Sequence, residues 1–412
     1  MVVLAKKVLL VAYSCEPGFS SEREVGWKWA TLLSDQCDLY VLTRSNNKSV
    51  IEKYLQEHSI ELKAKFIYFD LPSWAKFWKK GERGLYLYYA IWQLFAMLHC
   101  RKLHKNIRFD ITHYLTFGSF LLPQFSFLMP TKYILGPVGG GENVPINFLE
   151  DFSFKGKIQI YFRYFYQKLQ ILNPIFLANC HCADHILVRT PESLGLLPRW
   201  YRLKAELCLE TGTPEELANS AIETQHHNDI FTIVTVGRLI PTKINILTFR
   251  AISKFREIYS KPFRFIVVGD GPERERLQNF CNENGLSEVE FLGWKKREEV
   301  FNIVSSSDVY FSTTFKEGGT WAFFEAIALK IPVVCLKTSG PDIIVPDNGG
   351  IKVSPTNVEE TSMELAKALK DLAQCEIKRD ILSETALIHI KNTLSWKSII
   401  DKTVKSYEEA LK

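Results

Sequence analysis

The chain has 412 residues, of which 46% are hydrophobic and 24% charged, and a net charge of +5. It exceeds the roughly 250–300 residues at which a single core stops growing, so this globular composition predicts two domains. The charge is too diffuse to argue for a nucleic-acid partner, and suits anionic small substrates or an acidic membrane surface.

Met1 to Lys7 runs directly into a strand-like segment and lacks the pattern of a secretion signal. Val8 to Tyr13 is a continuous apolar run, the mark of a strand buried on both faces of a parallel sheet. A loop with Pro17-Gly18 follows, then a helix around Trp27 to Leu33. Strand-sized apolar segments recur at Leu39–Leu42, Ala64–Phe69, Ile111–Tyr114, Tyr133–Leu135 and Ile186–Val188, separated by helix-sized stretches. Such alternation predicts a doubly wound α/β domain.

Leu85 to Cys100 is uncharged for sixteen residues, short of the roughly 18 needed to span a bilayer. Framed by Trp74, Trp78, Lys79 and Lys80 before it and Arg101, Lys102 and Lys105 after it, it reads either as a helix on a membrane surface or as a buried one. Phe152 to Lys168 interleaves aromatics with cations and reads as a helix that docks on an anionic bilayer or is half-buried with a solvated face. The nine cysteines are scattered, which fits a reducing, cytoplasmic setting, and Cys180-His181-Cys182-Ala183-Asp184-His185 at a strand edge reads as structural, not as a metal site. Between Glu210 and Asp229 the sequence is polar and rich in turn residues, a linker. The expected division is residues 1–214, with a closing helix at 396–412, and residues 228–395.

Beyond the linker the alternation restarts at Phe231–Val236, Phe263–Val268, Glu290–Leu292, Val309–Phe311, Pro332–Leu336 and Ile351–Val353. Neither half carries a dinucleotide fingerprint or a phosphate loop of the Gly-Lys-Ser/Thr type, and no Asp-x-Asp occurs, which removes the best support for oxidoreductase, kinase and single-domain metal-dependent transferase readings. After the first strand of the second half, Gly237-Arg238 and Lys243 place two cations near a strand's carboxyl end, where they could neutralise a diphosphate. Gly269-Asp270-Gly271-Pro272 and Leu292-Gly293-Trp294 close two further strands, either for close approach to a base or ribose or as plain turns. Glu317 and Glu325 flank a glycine pair in a strand, loop, helix arrangement whose NH groups from Gly318 to Trp321 suit a phosphorylated sugar.

Gly-Arg-Leu with a downstream lysine, Val-Gly-Asp-Gly-Pro, Phe-Leu-Gly-Trp, and Glu-x7-Glu-Ala followed by Ile-Pro-Val-Val resemble, in this order, the retaining GT-B glycosyltransferases of glycosyltransferase family 4. The resemblance covers essentially the whole chain. It implies two Rossmann-like doubly wound parallel-sheet domains facing a cleft, with the last helix crossing back to the first domain. A UDP- or GDP-sugar donor would bind the C-terminal domain, and a glycan or lipid-linked acceptor the N-terminal one. Arg238 and Lys243 would hold the diphosphate, Glu325 the ribose, Glu317 with the Gly318, Gly319 and Thr320 amides the sugar, and Leu292, Gly293 and Trp294 the base. Gly18, Gly237, Gly269, Gly271 and Trp321 complete the donor side. His113 would point at the sugar near the reacting carbon, and Gly139, Gly140, Gly141 and Glu142 would face the acceptor. No metal or other cofactor is expected, the nucleotide-sugar being a substrate.

Three departures from the family pattern stand out: Ser20 in the first loop, Ile244 after the lysine, and Gly319-Thr320-Trp321 after Glu-Gly. The implied chemistry is front-side transfer with retention, the leaving phosphate accepting the acceptor's proton. The implied setting is peripheral, on the inner face of a membrane. The alternatives are a catalytically silent nucleotide-sugar binding protein and another GT-B enzyme such as a sugar-nucleotide epimerase.

Overall fold

A computed structural model describes residues 6–18, 21–76, 78, 79, 81, 83–213 and 230–412. Its contacts fall into two compact units. One comprises Met1–Gly141, Phe165–Glu210 and Ile399–Lys412, the other Glu142–Tyr164 and Thr211–Ser398.

The first half of the chain runs through β1 (Lys7–Val11), α1 (Ser21–Leu33), β2 (Asp38–Arg44), α2 (Lys48–Glu57), β3 (Lys65–Phe69), α3 (Ser73–Lys76), α4 (Leu85–Ile107), β4 (Ile111–Tyr114) and β5 (Lys132–Val138). It continues through α5 (Phe154–Leu169), α6 (Pro174–Cys182), β6 (His185–Val188), α7 (Pro191–Leu196) and β7 (Ala205–Leu207). The seven strands form one parallel sheet in the order β3-β2-β1-β4-β5-β6-β7, which reverses direction at β1. Local chemistry fixes the helix starts: Asn173 accepts from the NH groups of Ile175 and Phe176 ahead of Pro174, and Thr190 accepts from Ser193 ahead of Pro191. Helix α4 buries Tyr88, Tyr89, Trp92, Ala96, Met97 and Cys100, leaving Tyr86, Leu87, Phe95 and Leu98 exposed on its other side.

The second unit contains β8 (Phe231–Val236), α8 (Ile246–Ile258), β9 (Phe263–Val268), α9 (Arg274–Glu283), β10 (Val289–Gly293), α10 (Arg297–Ser305), β11 (Val309–Ser312), α11 (Trp321–Ala328), β12 (Val333–Leu336), α12 (Ser339–Ile344) and β13 (Ile351–Val353). Helices α13 (Val358–Gln374) and α14 (Glu376–Thr393) follow, and α15 (Trp396–Leu411) carries the chain back into the first unit from Ile399. The sheet is again wholly parallel, ordered β10-β9-β8-β11-β12-β13, with its reversal at β8.

The division expected at residue 214 needs correcting. Residues 142–164 belong to the second unit because Val144, Phe148, Phe152 and Ile160 join its apolar core. There Phe148 meets Phe315, ring centres 5.0 Å apart, and Asp151 receives Arg250 at 2.8 Å. The linker falls mostly outside the described residues, as does Ser20.

Candidate functional site

Open α/β sheets bind ligands beyond the carboxyl ends of strands at the point where strand order reverses. In the second unit that point lies between the ends of β8 and β11. The segments leaving these strands are stitched together: Phe315 NH and Thr314 hydroxyl both donate to the Thr242 carbonyl, at 3.1 and 3.2 Å, and Asn245 donates to the Thr313 carbonyl at 3.2 Å. That stitching brings Lys243 onto Glu317 in a close ion pair. Arg238, also just past β8, is exposed, and its guanidinium makes no hydrogen bond or ion pair among the described residues.

Glu325 lies inside α11, half-buried, and receives Arg297 from the start of α10 at 3.0 Å. Burial pushes its carboxyl above the usual range, and the Arg297 charge opposes that rise. The Arg297 guanidinium also sits over the ring of Trp321, 5.6 Å from its centre. Sequence reasoning missed Arg297. The available sign was a cation in a helix's first turn, set against the helix dipole.

Lys316 was missed as well. It is half-buried beside Glu317, and desolvation, reinforced by Arg163 and opposed by Glu142 and Glu317, pushes its ammonium down to about 8.

The glycines divide by what a side chain would meet. At Gly269 (φ +136°) a Cβ would run into the Gly237 carbonyl, at Gly271 into Leu239 backbone, and at Gly319 into the Thr211 hydroxyl. Backbone packing therefore demands Gly269 and Gly271, whereas at Gly319 the obstacle is a side-chain hydroxyl. Gly269 NH donates to the Gly293 carbonyl at 2.8 Å and Gly237 NH to Val268 at 2.9 Å, so the ends of β8, β9 and β10 are tied edge to edge. Gly237 has room, the nearest atom to a Cβ being in Ile244 at 3.6 Å. Thr320 caps α11 without a side-chain hydrogen bond, Leu292 is half-buried, and Trp294 is 74% exposed. Gly18 NH is already bonded to Glu24 at 2.6 Å.

His113 does not fit the catalytic role expected of it. It is fully buried in β4, its Nε2 2.5 Å from the Gly136 carbonyl and its Nδ1 2.5 Å from the Tyr407 hydroxyl. The carbonyl can only accept, so Nε2 carries the proton and Nδ1 accepts from Tyr407. Burial pushes the ring down to about 4, which keeps it neutral. The glycine run also needs correcting as a ligand loop. Gly139 NH donates to Gly118 at 2.9 Å, Gly141 NH donates to Ser193 at 3.1 Å, and the Gly140 carbonyl accepts from Gln167 at 2.6 Å. Glu142 is buried, 4.0 Å from Arg163.

A polar surface cleft of about 490 Å³, lined by Asp151, Arg250, Glu275, Arg276 and Glu283 among others, contains none of the expected site residues. No group of three or more His, Cys, Asp or Glu side chains suited to a metal occurs among the described residues.

Residues 219–387 match the family described as glycosyl transferases group 1. The phosphatidylinositol N-acetylglucosaminyltransferase GPI3 subunit of Saccharomyces cerevisiae is 24% identical over 232 residues, 55% of this chain and 48% of that protein. The chain thus spans about half the length of this curated relative. The lipopolysaccharide core biosynthesis glycosyltransferase LpsD of Rhizobium meliloti is 24% identical over 185 residues, 44% of this chain and 51% of that protein. Among solved structures, a glycosyltransferase from Rickettsia africae superposes with a TM-score of 0.63 at 16% identity, covering 99% of both chains. Anabaena HepE in complex with UDP does so with a TM-score of 0.64 at 14% identity, covering 98% of this chain and 99% of that one. The two parallel-sheet α/β domains are those of the GT-B glycosyltransferases, and the group 1 match over the second of them supports a group 1 glycosyltransferase.

Proposed function

We propose that the protein moves a hexose from a nucleoside-diphosphate sugar to a lipid-linked or glycan acceptor with retention of anomeric configuration. The observation that carries this reading is the ion pair of Lys243 with Glu317 at the strand-order reversal of the second unit, where Arg238 also follows the end of β8. In the transfer, the bond from the sugar's anomeric carbon to the leaving phosphate oxygen breaks and a bond to the acceptor oxygen forms on the same face. The acceptor's proton passes to the leaving phosphate. Arg238 and Lys243 stabilise the departing diphosphate, and Lys243 leaves Glu317 to do so, freeing that carboxylate for sugar hydroxyls. Glu325, steadied by Arg297, takes the ribose. UDP is the favoured nucleotide, since HepE is solved with it, and a lipid-linked acceptor is favoured by the names of the curated relatives. The reading includes peripheral membrane association; no described helix is long and apolar enough to cross a bilayer.

Arg238→Ala and Lys243→Ala should each lower donor turnover by about 10²–10³, measured as hydrolysis of a labelled UDP-sugar and as transfer. Because Arg238 is exposed and makes no ion pair among the described residues, its variant should melt within about 0.5 kcal/mol of the parent. Near-parental turnover in both variants would overturn the assignment.

A further inference from the structure

Helix α5 buries Ile160 in the core but carries most of its apolar side chains outward. Phe154, Ile158, Tyr161, Phe162, Phe165 and Leu169 recur at i, i+4, i+7, i+8, i+11 and i+15, one continuous stripe at helical period. All six are exposed, Phe154 at 78% and Phe162 at 65%, and Leu172 continues the line at 74%. Lys155 lies along one margin of the stripe, and Lys157 and Lys168 along the other, while the helix contains no acidic residue. The opposite side is pinned: Gln167 donates to Gly140 at 2.6 Å, Tyr164 to Val144 at 3.0 Å, and Arg163 to the Glu142 carbonyl at 3.2 Å. The stripe is therefore held outward by the fold. Covering the stripe would remove six large apolar side chains from water, which favours an apolar partner.

We infer that α5 lies flat on an anionic lipid bilayer, its stripe among the acyl chains near the headgroups and its marginal lysines on lipid phosphates. The charge pattern selects this occupant. In a two-fold pairing of α5 with itself, lysine margins would meet lysine margins with no carboxylate on the helix to answer them. A bilayer surface supplies apolar depth and phosphate at its margin together, over the roughly 24 Å length of the helix. The inference rests on the peripheral membrane association in the proposed function, which it assigns to this helix face, and does not depend on the transfer chemistry.

The test is co-sedimentation of the full chain with vesicles of phosphatidylcholine alone and of phosphatidylcholine with about a quarter phosphatidylglycerol. Binding is expected to the second and to fall as salt rises. Ile158→Glu with Phe165→Glu should weaken it by on the order of tenfold or more, and Lys155→Gln with Lys168→Gln should lose the preference for anionic vesicles. These positions are exposed, so melting temperature and donor hydrolysis should match the parent, which separates failure here from failure of the transfer reading. No binding to anionic vesicles at low salt, or a dimer by sedimentation that the double Glu variant dissolves, would overturn the inference.

Discussion

His113 and Lys316 both titrate below their ordinary range because they are buried, and each makes stability rise with pH, over different windows. Folded His113 takes a proton only near pH 4, whereas unfolded it does so near 6.5. Its contribution is therefore complete above pH 6.5 and disappears as pH falls to about 4, a loss of roughly 3 kcal/mol by this group. Tyr407→Phe removes the hydroxyl that donates to Nδ1 and should cost about 1–2 kcal/mol in urea denaturation with turnover retained. Loss of turnover at unchanged stability would restore a catalytic His113. Lys316 follows the same rule at higher pH: the penalty of holding its charge is present below pH 8 and is relieved between pH 8 and 10.5. Lys316→Met should therefore melt higher than the parent at pH 7, with the difference gone by pH 10.5.

Two glycines at adjoining strand ends answer to different demands. Gly269, at φ +136° against the Gly237 carbonyl, belongs to the packing of β8 on β9, and Gly269→Ala should cost about 2 kcal/mol or more. Gly237 has room for a methyl group, so Gly237→Ala should leave the melting temperature nearly unchanged while weakening UDP in a thermal-shift titration. The strands themselves were readable because buried parallel strands are unbroken apolar runs, and Phe231–Val236, Phe263–Val268 and Ile351–Val353 fall on the expected residues. β7, Ala-Glu-Leu, has no such run and could not be seen. Lys243 and Glu317, which the fold brings into an ion pair, were singled out by their spacing behind glycine turns. The role of His113 was not, because its partner Tyr407 lies 294 residues away and a strand-end histidine looks alike in a core and in a site. Arg297 and Glu325 likewise meet only across two helices.

The interleaving of the two units shapes how the molecule behaves when cut. Residues 399–412 serve the first unit: Tyr407 bonds His113, Lys402 donates to the Leu207 carbonyl at 2.7 Å, and the same lysine pairs with Glu206 at 3.0 Å. Ending the chain at Ser398 should lower the stability of the first unit selectively, seen as faster amide hydrogen exchange in β4 and β7 with β8 and β9 unchanged. The same return has a consequence for biosynthesis. A ribosome delivers the whole of the second unit, through Ser398, before the segment that completes the first. The usual order, in which the N-terminal domain finishes folding first, is thereby inverted: the half that is begun first must wait for the other to be made, and its sheet emerges long before the helix that closes it.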